Sequence, residues 1–197
     1  MNLQKKLNRL YSDSGFLLFL IRLPQKAIKF LLDKIVTQFY RLTLKHVGKG
    51  FSIEWGAVIE SPGRVSIGDN VHIGKGTKIL SENNLGSLRL GNNVEIGREC
   101  RIDITGNIIV KDNVLFSRGC QILSHSHGYN PRSKPEGKDL LIADFVWLGA
   151  DVCIMDNCDF IAEHSIIATR ALVTKSIMEN KSIVAGIPAV VIGKVDV

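Results

Sequence analysis

One spacing constrains this chain more than any other feature. Between residues 142 and 173, large apolar side chains fall at Ile142, Leu148, Ile154 and Phe160, with a second aliphatic set at Ile161, Ile167 and Val173. A helical face would recur at three and four residues, and a half-buried strand at two. A period of six fits a chain that runs straight, turns a corner and starts again, so that each side of a prism sends one aliphatic residue inward. Compact residues stand two positions earlier, at Val146, Val152, Cys158, Ser165 and Ala171, which suits a narrow triangular interior. Hexapeptide periodicity of this kind marks a parallel β-helix.

The same period runs upstream through Ile53 and Ile59, then Ile67, Ile73 and Ile79, then Leu90, Ile96 and Ile102, then Val110, Phe116 and Ile122. Breaks fall at Ser61-Pro62-Gly63, at Asn83–Gly86 and at Asp103–Asn107. With three hexapeptides to a turn, roughly six to seven coils of ~18 residues are expected. After Ile154 either Phe160 or Ile161 can be the inward residue. Ser165 and Ala171 as small partners favour Ile161 and a one-residue bulge at Asp159–Phe160.

The segments SHSHGYNP, VWLGADVCIM and NKSIVAGIPAVVIGK resemble the hexapeptide acyltransferases, and within them the sugar and polysaccharide O-acetyltransferases. The resemblance covers about residues 50 to 193. It implies a mainly β fold, a left-handed parallel β-helix over residues 48–197, with a protruding loop at 123–141 and a C-terminal tail at 176–197. It also implies acetyl-CoA as acyl donor, no required metal, and a homotrimer with sites at the seams between subunits.

Residues 1–47 follow other rules. Ten Lys/Arg accompany only Asp13 and Asp33 in the first 50 residues, so the formal charge of +6 is concentrated there. A basic start on a nearly neutral body points to a surface or partner at that end. The apolar run Phe16–Ile21 is ended by Arg22 and Pro24, far short of the ~20 residues a bilayer span needs. From Gln25 onward Ile28, Leu31, Leu32, Ile35, Phe39 and Leu42 recur at helical spacing among basic residues. Two readings compete: helices that cap the open end of the prism or pack on a neighbouring subunit, and helices that lie on an anionic membrane surface. Nucleic acid is not an expected partner, because the basic residues accompany a broad apolar face. Cys100, Cys120 and Cys158 occupy the small position of the repeat and read as reduced core residues. With no zinc spacing present, they favour a cytoplasmic protein, peripheral on the inner face of the membrane if the basic helix touches lipid.

The period stops between Ile122 and Ile142 for a polar loop that begins with His125 and His127. Moving an acyl group from a thioester to a hydroxyl needs a base, and imidazole suits that task near neutrality. Two residues apart on an extended segment, the two rings point the same way, so geometry alone does not choose between them. The resemblance puts the base on His127. It places Asp103 near the acceptor sugar, where it could support the imidazolium; the bland reading of Asp103 is a solvated turn residue. Glu136 in the loop is a weaker partner.

The resemblance also places an oxyanion donor near Gly149–Ala150, with Trp147 as an apolar wall beside the pantetheine arm. Thr169, Thr174, Lys175 and Pro188 match cofactor-contacting positions, and Lys194 is within reach of the phosphates. Ala168-Thr169-Arg170-Ala171 departs from the usual Gly-Ala-Gly-Ser, so Arg170 either adds a phosphate contact or obstructs the arm. The expected activity is acetyl-CoA-dependent O-acetylation of a sugar or glycan hydroxyl in cell-surface polysaccharide biosynthesis, on a lipid-linked acceptor. Alternatives are a free sugar, amino sugar or antibiotic acceptor, a non-catalytic scaffold, and a metal enzyme similar to the β-helical carbonic anhydrases. For the last, His125 and His127 supply two ligands, but His46, His72 and His164 lie outside the loop and no third ligand is evident.

Overall fold

The computed structural model of the protein describes residues 3–196. Helix α1 (Leu3–Thr43) is followed by short strands that visit three parallel sheets in rotation. Each strand pairs with the strand one coil further on, so Ile53, Ile73, Ile96, Phe116, Leu148 and Ile167 stand one above another. Val110, Ile142 and Ile161 form a second column, and Ile79, Ile102, Ile122, Ile154 and Val173 a third. The result is a left-handed parallel β-helix of about seven turns. Its interior is the predicted set: every residue in these columns is 1% exposed or less.

Ile161, paired with Ile142 and fully buried, is the inward residue where the sequence allowed two choices, and Phe160 is only half-buried. The steps from Ile53 to Ile73 and from Ile73 to Ile96 are longer than three hexapeptides. The excess gathers at the corner between the third and first sheets, where Glu60–Arg64, Ser81–Ser87 and the residues after Asp103 bulge outward. The loop of residues 123–141 leaves from that same corner.

The other corners turn through left-handed backbone. Asn70, Asn93 and Asn113 adopt φ of 55°, 54° and 59° and hydrogen-bond side chain to side chain up the stack. Asparagine tolerates this region because its short amide can bond locally. At the corner between the second and third sheets Gly56, Gly76 and Gly119 serve, and Arg170, at φ 61°, takes the equivalent place. Cys100, Cys120 and Cys158 are buried free thiols in the small inward positions. Cys100 and Cys120 sit on adjacent coils, their thiols donating to the Ser117 carbonyl (3.3 Å) and the Gly149 carbonyl (3.2 Å).

Pro24 does not end α1; one helix runs through it. At 1.5 Å per residue it is about 60 Å long. Its last third lies across the first coil, but not with the face the sequence suggested. Asp33, Val36, Thr37, Tyr40 and Leu44 face the prism, while Ile28, Leu31, Ile35, Phe39 and Leu42 are exposed. The reason is polar. A first coil has backbone groups that no preceding coil satisfies. Here the N–H of Ile53 donates to Thr37 Oγ1 (3.1 Å), that of Ile59 to Tyr40 Oη (3.0 Å) and that of Trp55 to Asp33 Oδ1 (2.7 Å). Lys29 and Arg98 both pair with Glu54, tying helix to coil. Earlier in α1, Leu18, Leu20, Ile21 and Leu23 are exposed as well. Among the described residues no helix is long and apolar enough to cross a membrane. At the far end, Ser182–Gly186 continues the second sheet in parallel and Ala189–Lys194 folds back antiparallel to it.

Candidate active site

The two loop histidines are brought to the corner between the third and first sheets. The strand Arg101–Asp103 pairs with Lys78–Leu80 below it and Gln121–Ile122 above it. Continuing that register, Glu82, Thr105 and His125 emerge at one level of the corner on successive coils; the Glu82 N–H donates to Thr105 Oγ1 at 2.9 Å. Beyond Ser124 the chain forms a two-residue antiparallel ladder, His125–Ser126 with Glu136–Gly137. The Lys138 N–H donates to the Ser124 carbonyl and closes the base of the loop.

Asp103 is not a solvated turn residue. It is 3% exposed and accepts from Thr105 Oγ1 (2.6 Å), the Thr105 N–H (3.0 Å) and the Ser124 N–H (3.0 Å). Its Oδ2 also takes the Nδ1–H of His125 at 2.5 Å. Burial alone would raise its pKa, but the hydrogen bonds from Thr105, His125 and Ser124 outweigh that and hold the carboxyl below its ordinary value. Asp103 therefore partners His125, not His127. His127 has its own anchor: its Nδ1 lies 2.8 Å from the Ser133 carbonyl, while Ser133 Oγ donates back to the His127 carbonyl at 2.5 Å. A backbone carbonyl only accepts, so the Nδ1 of His127 carries a proton, and in the neutral ring Nε2 is the nitrogen with the lone pair. The rings stand edge to face with centroids 5.0 Å apart. Glu136 is exposed and pairs with Lys138, away from both rings.

Sequence reasoning missed Glu82, Thr105, Ser124 and Ser133. Glu82, Thr105 and Ser124 lie in the breaks of the hexad pattern or at its edge, and only the stacking of coils of unequal length brings them together. A carboxylate oxygen of Glu82 and one nitrogen of each histidine lie within 4.8 Å of one another.

The predicted cofactor residues are divided among all three corners. Gly149, Ala150, Thr169 and Arg170 stack at the corner between the second and third sheets, and Pro188 in the hairpin turn lies toward the same edge. Trp147 stands on the second sheet, half-exposed, its Nε1–H donating to Ser117 Oγ at 3.0 Å. The Gly149 N–H is used by the Ile167 carbonyl (2.8 Å), so it is no free oxyanion donor; a Cβ there would meet the Thr169 nitrogen at 2.7 Å. Arg170 leans toward Asp151, 3.8 Å away. Thr174 and Lys175 share the histidine corner, two coils further on, on the order of 10 Å at ~4.8 Å per coil. Lys194 sits at the remaining corner and is engaged by Glu179 (2.6 Å) and the Asn180 carbonyl. A broad depression of about 610 Å³ on the second sheet is lined by Glu54, His72, Glu95, Arg98 and Ser117, and not by the loop histidines.

No family model and no curated protein matches the chain in sequence. Solved structures do match in fold. A variant of AntD, an N-acyltransferase from Bacillus cereus in complex with dTDP and coenzyme A, superposes with a TM-score of 0.70 at 20% identity, covering 80% of this chain and 88% of that one. The hexapeptide-repeat containing acetyltransferase VCA0836 from Vibrio cholerae gives 0.62 at 19%, over 96% and 92%. A maltose O-acetyltransferase from Clostridium difficile 630 gives 0.57 at 21%, over 81% and 74%. With its inward aliphatic columns and three-sided coil, the chain has the fold of the hexapeptide-repeat acetyltransferases.

Proposed function

We propose that the protein transfers the acetyl group of acetyl-CoA to a hydroxyl of a sugar acceptor, in cell-surface polysaccharide biosynthesis. The observation that carries this reading is the pair of imidazoles at the root of a long loop on a rigid prism, each with Nδ1 committed to an acceptor. In the reaction, His127 Nε2 takes the hydroxyl proton as the oxygen attacks the thioester carbonyl. The tetrahedral intermediate collapses with cleavage of the C–S bond, and the proton passes from the imidazolium to the departing thiolate. The Asp103 contact favours a second assignment, in which His125 is the base and its imidazolium is held by the carboxylate.

Gly149, Ala150, Thr169 and Arg170 lie at a different corner from the histidines, so in this reading a cofactor bound along them meets an imidazole of a neighbouring copy. Three copies packed side by side, with each site at a seam, satisfy that requirement; the working unit in this reading is a homotrimer. The exposed apolar face of α1, flanked by Lys26 and Lys34, supports a lipid-linked acceptor and a cytoplasmic protein peripheral on the inner membrane face. AntD structures contain dTDP-4-amino-4,6-dideoxyglucose, which makes an amino sugar the acceptor to compare.

The test is release of free CoA thiol and mass spectrometry of products from acetyl-CoA with lipid-linked saccharides, free sugars and nucleotide-linked amino sugars. Hydroxyl acetylation of the lipid-linked acceptor, lowered about 10²- to 10⁴-fold in His127→Ala, is expected. Acylation of amines alone, or turnover of free sugars alone, overturns the acceptor assignment. Loss in His125→Ala with activity kept in His127→Ala moves the base to His125.

A further inference from the structure

The third ligand that the sequence did not offer is supplied by another coil. Glu82 reaches the loop histidines, and one donor atom from each of Glu82, His125 and His127 lies within 4.8 Å of the others. Two imidazoles and a carboxylate are a zinc-type donor set that leaves a fourth position open. What distinguishes this cluster from a chance grouping is the support behind each ring. Histidine that binds a metal almost always gives its other N–H to a carboxylate or a backbone carbonyl, which fixes ring and tautomer. Both arrangements are here: His125 Nδ1 on buried Asp103 at 2.5 Å, and His127 Nδ1 on the Ser133 carbonyl at 2.8 Å. Asp103 is itself held by Thr105 and Ser124. With Nδ1 committed in this way, the neutral ring of each histidine keeps its lone pair on Nε2, and the Glu82 carboxylate only accepts. With both rings neutral, the corner gathers three electron-pair donors, the arrangement that a cation bridges.

The geometry points to a binding site for a divalent transition-metal ion of the Zn²⁺ class, formed by Glu82, His125 and His127 and backed by Asp103 and Ser133. Glu82 is exposed while both histidines are half-buried, so the open position faces solvent. Such an ion claims the lone pair that acyl transfer needs. Resting on the function proposed above, the site makes free Zn²⁺ an inhibitor of the transferase, reversed by chelation.

Tag-free full-length protein, stripped with EDTA and dialysed, is titrated with zinc sulfate by calorimetry and with Co²⁺ by visible absorption. One ion per chain is expected, with a Co²⁺ spectrum of a four-coordinate nitrogen and oxygen site. Asp103→Asn weakens binding about 10- to 100-fold, as loss of an outer-shell partner does, and Glu82→Gln and His125→Ala weaken it further. His164→Ala, elsewhere on the prism, binds as the parent does, and circular dichroism confirms that every variant is folded. No binding, or binding that survives both Glu82→Gln and His125→Ala, overturns the site. Binding without inhibition of a demonstrated transferase overturns the regulatory step and leaves the site standing. Binding in a protein inactive on every acceptor overturns the proposed function instead.

Discussion

Asp103 and His125 stand on successive coils with Oδ2 and Nδ1 2.5 Å apart, and the carboxylate is buried while the ring reaches the surface. A fixed, ionised group beneath a half-buried imidazole orients that ring and, through the edge-to-face contact, the His127 ring beside it. His127→Ala is expected to lower kcat by about 10²- to 10⁴-fold, the usual share of a general base, with an unchanged circular dichroism spectrum. Asp103→Asn keeps the shape but not the charge, and steady-state kinetics should show the loss mainly in kcat.

Gly106 tests whether the loop root positions the site. A Cβ added there falls on the Lys138 backbone carbonyl, directly behind the ladder that carries His125. Gly106→Ala should therefore push Lys138 and the loop outward. Activity, measured well below the unfolding temperature, is expected to fall at least about tenfold, the scale on which small misplacement of reacting groups is felt, and thermal unfolding to move to lower temperature because backbone must give way.

Glu54 links α1 to the coils. Burial pushes its carboxyl up, but hydrogen bonds from Arg98, Lys29 and the Lys75 N–H outweigh this and lower the pKa from 4.5 to about 2. A carboxylate depressed on folding contributes stability above its unfolded pKa, and that contribution is lost as pH falls through the folded value. Urea unfolding should show stability falling between pH 4.5 and 2. Glu54→Gln should cost about 1–2 kcal/mol at pH 7 and flatten that part of the profile.

Tyr40→Phe removes the acceptor of the Ile59 N–H without changing the packing of the ring. A buried donor left unpaired costs about 1–3 kcal/mol. Urea denaturation at neutral pH measures it.

Ser165 gives the opposite sign. Its hydroxyl is fully buried at a small inward position and finds no partner among the described residues. Ser165→Ala should leave stability unchanged or raise it by up to about 1 kcal/mol, read from the same denaturation curves.

The prism is legible in the sequence because its signal is local and repeated: Ile67, Ile73 and Ile79 face inward for the same reason that Ile154 and Ile167 do. His125 and His127 stand out because they open a stretch where that repeat stops. Glu82 does not stand out, because its proximity to the loop depends on the unequal lengths of the intervening coils. The pairing of Asp103 with His125 rather than His127 depends on which side chain of an extended pair faces inward at the corner. The face of α1 that docks is likewise hidden from a hydropathy pattern. Thr37, Tyr40 and Asp33 are chosen by the bare N–H groups of the first coil, not by apolar periodicity, so the more hydrophobic face is the one left outside.

The antiparallel return of residues 189–194 carries one more meaning. A solenoid made of interchangeable rungs has no intrinsic number of storeys; its height is decided by whatever stops the stacking. Here a reversed strand terminates one end and a polar-faced helix the other, so duplicating or deleting an internal rung would give a taller or shorter tower with both terminators intact.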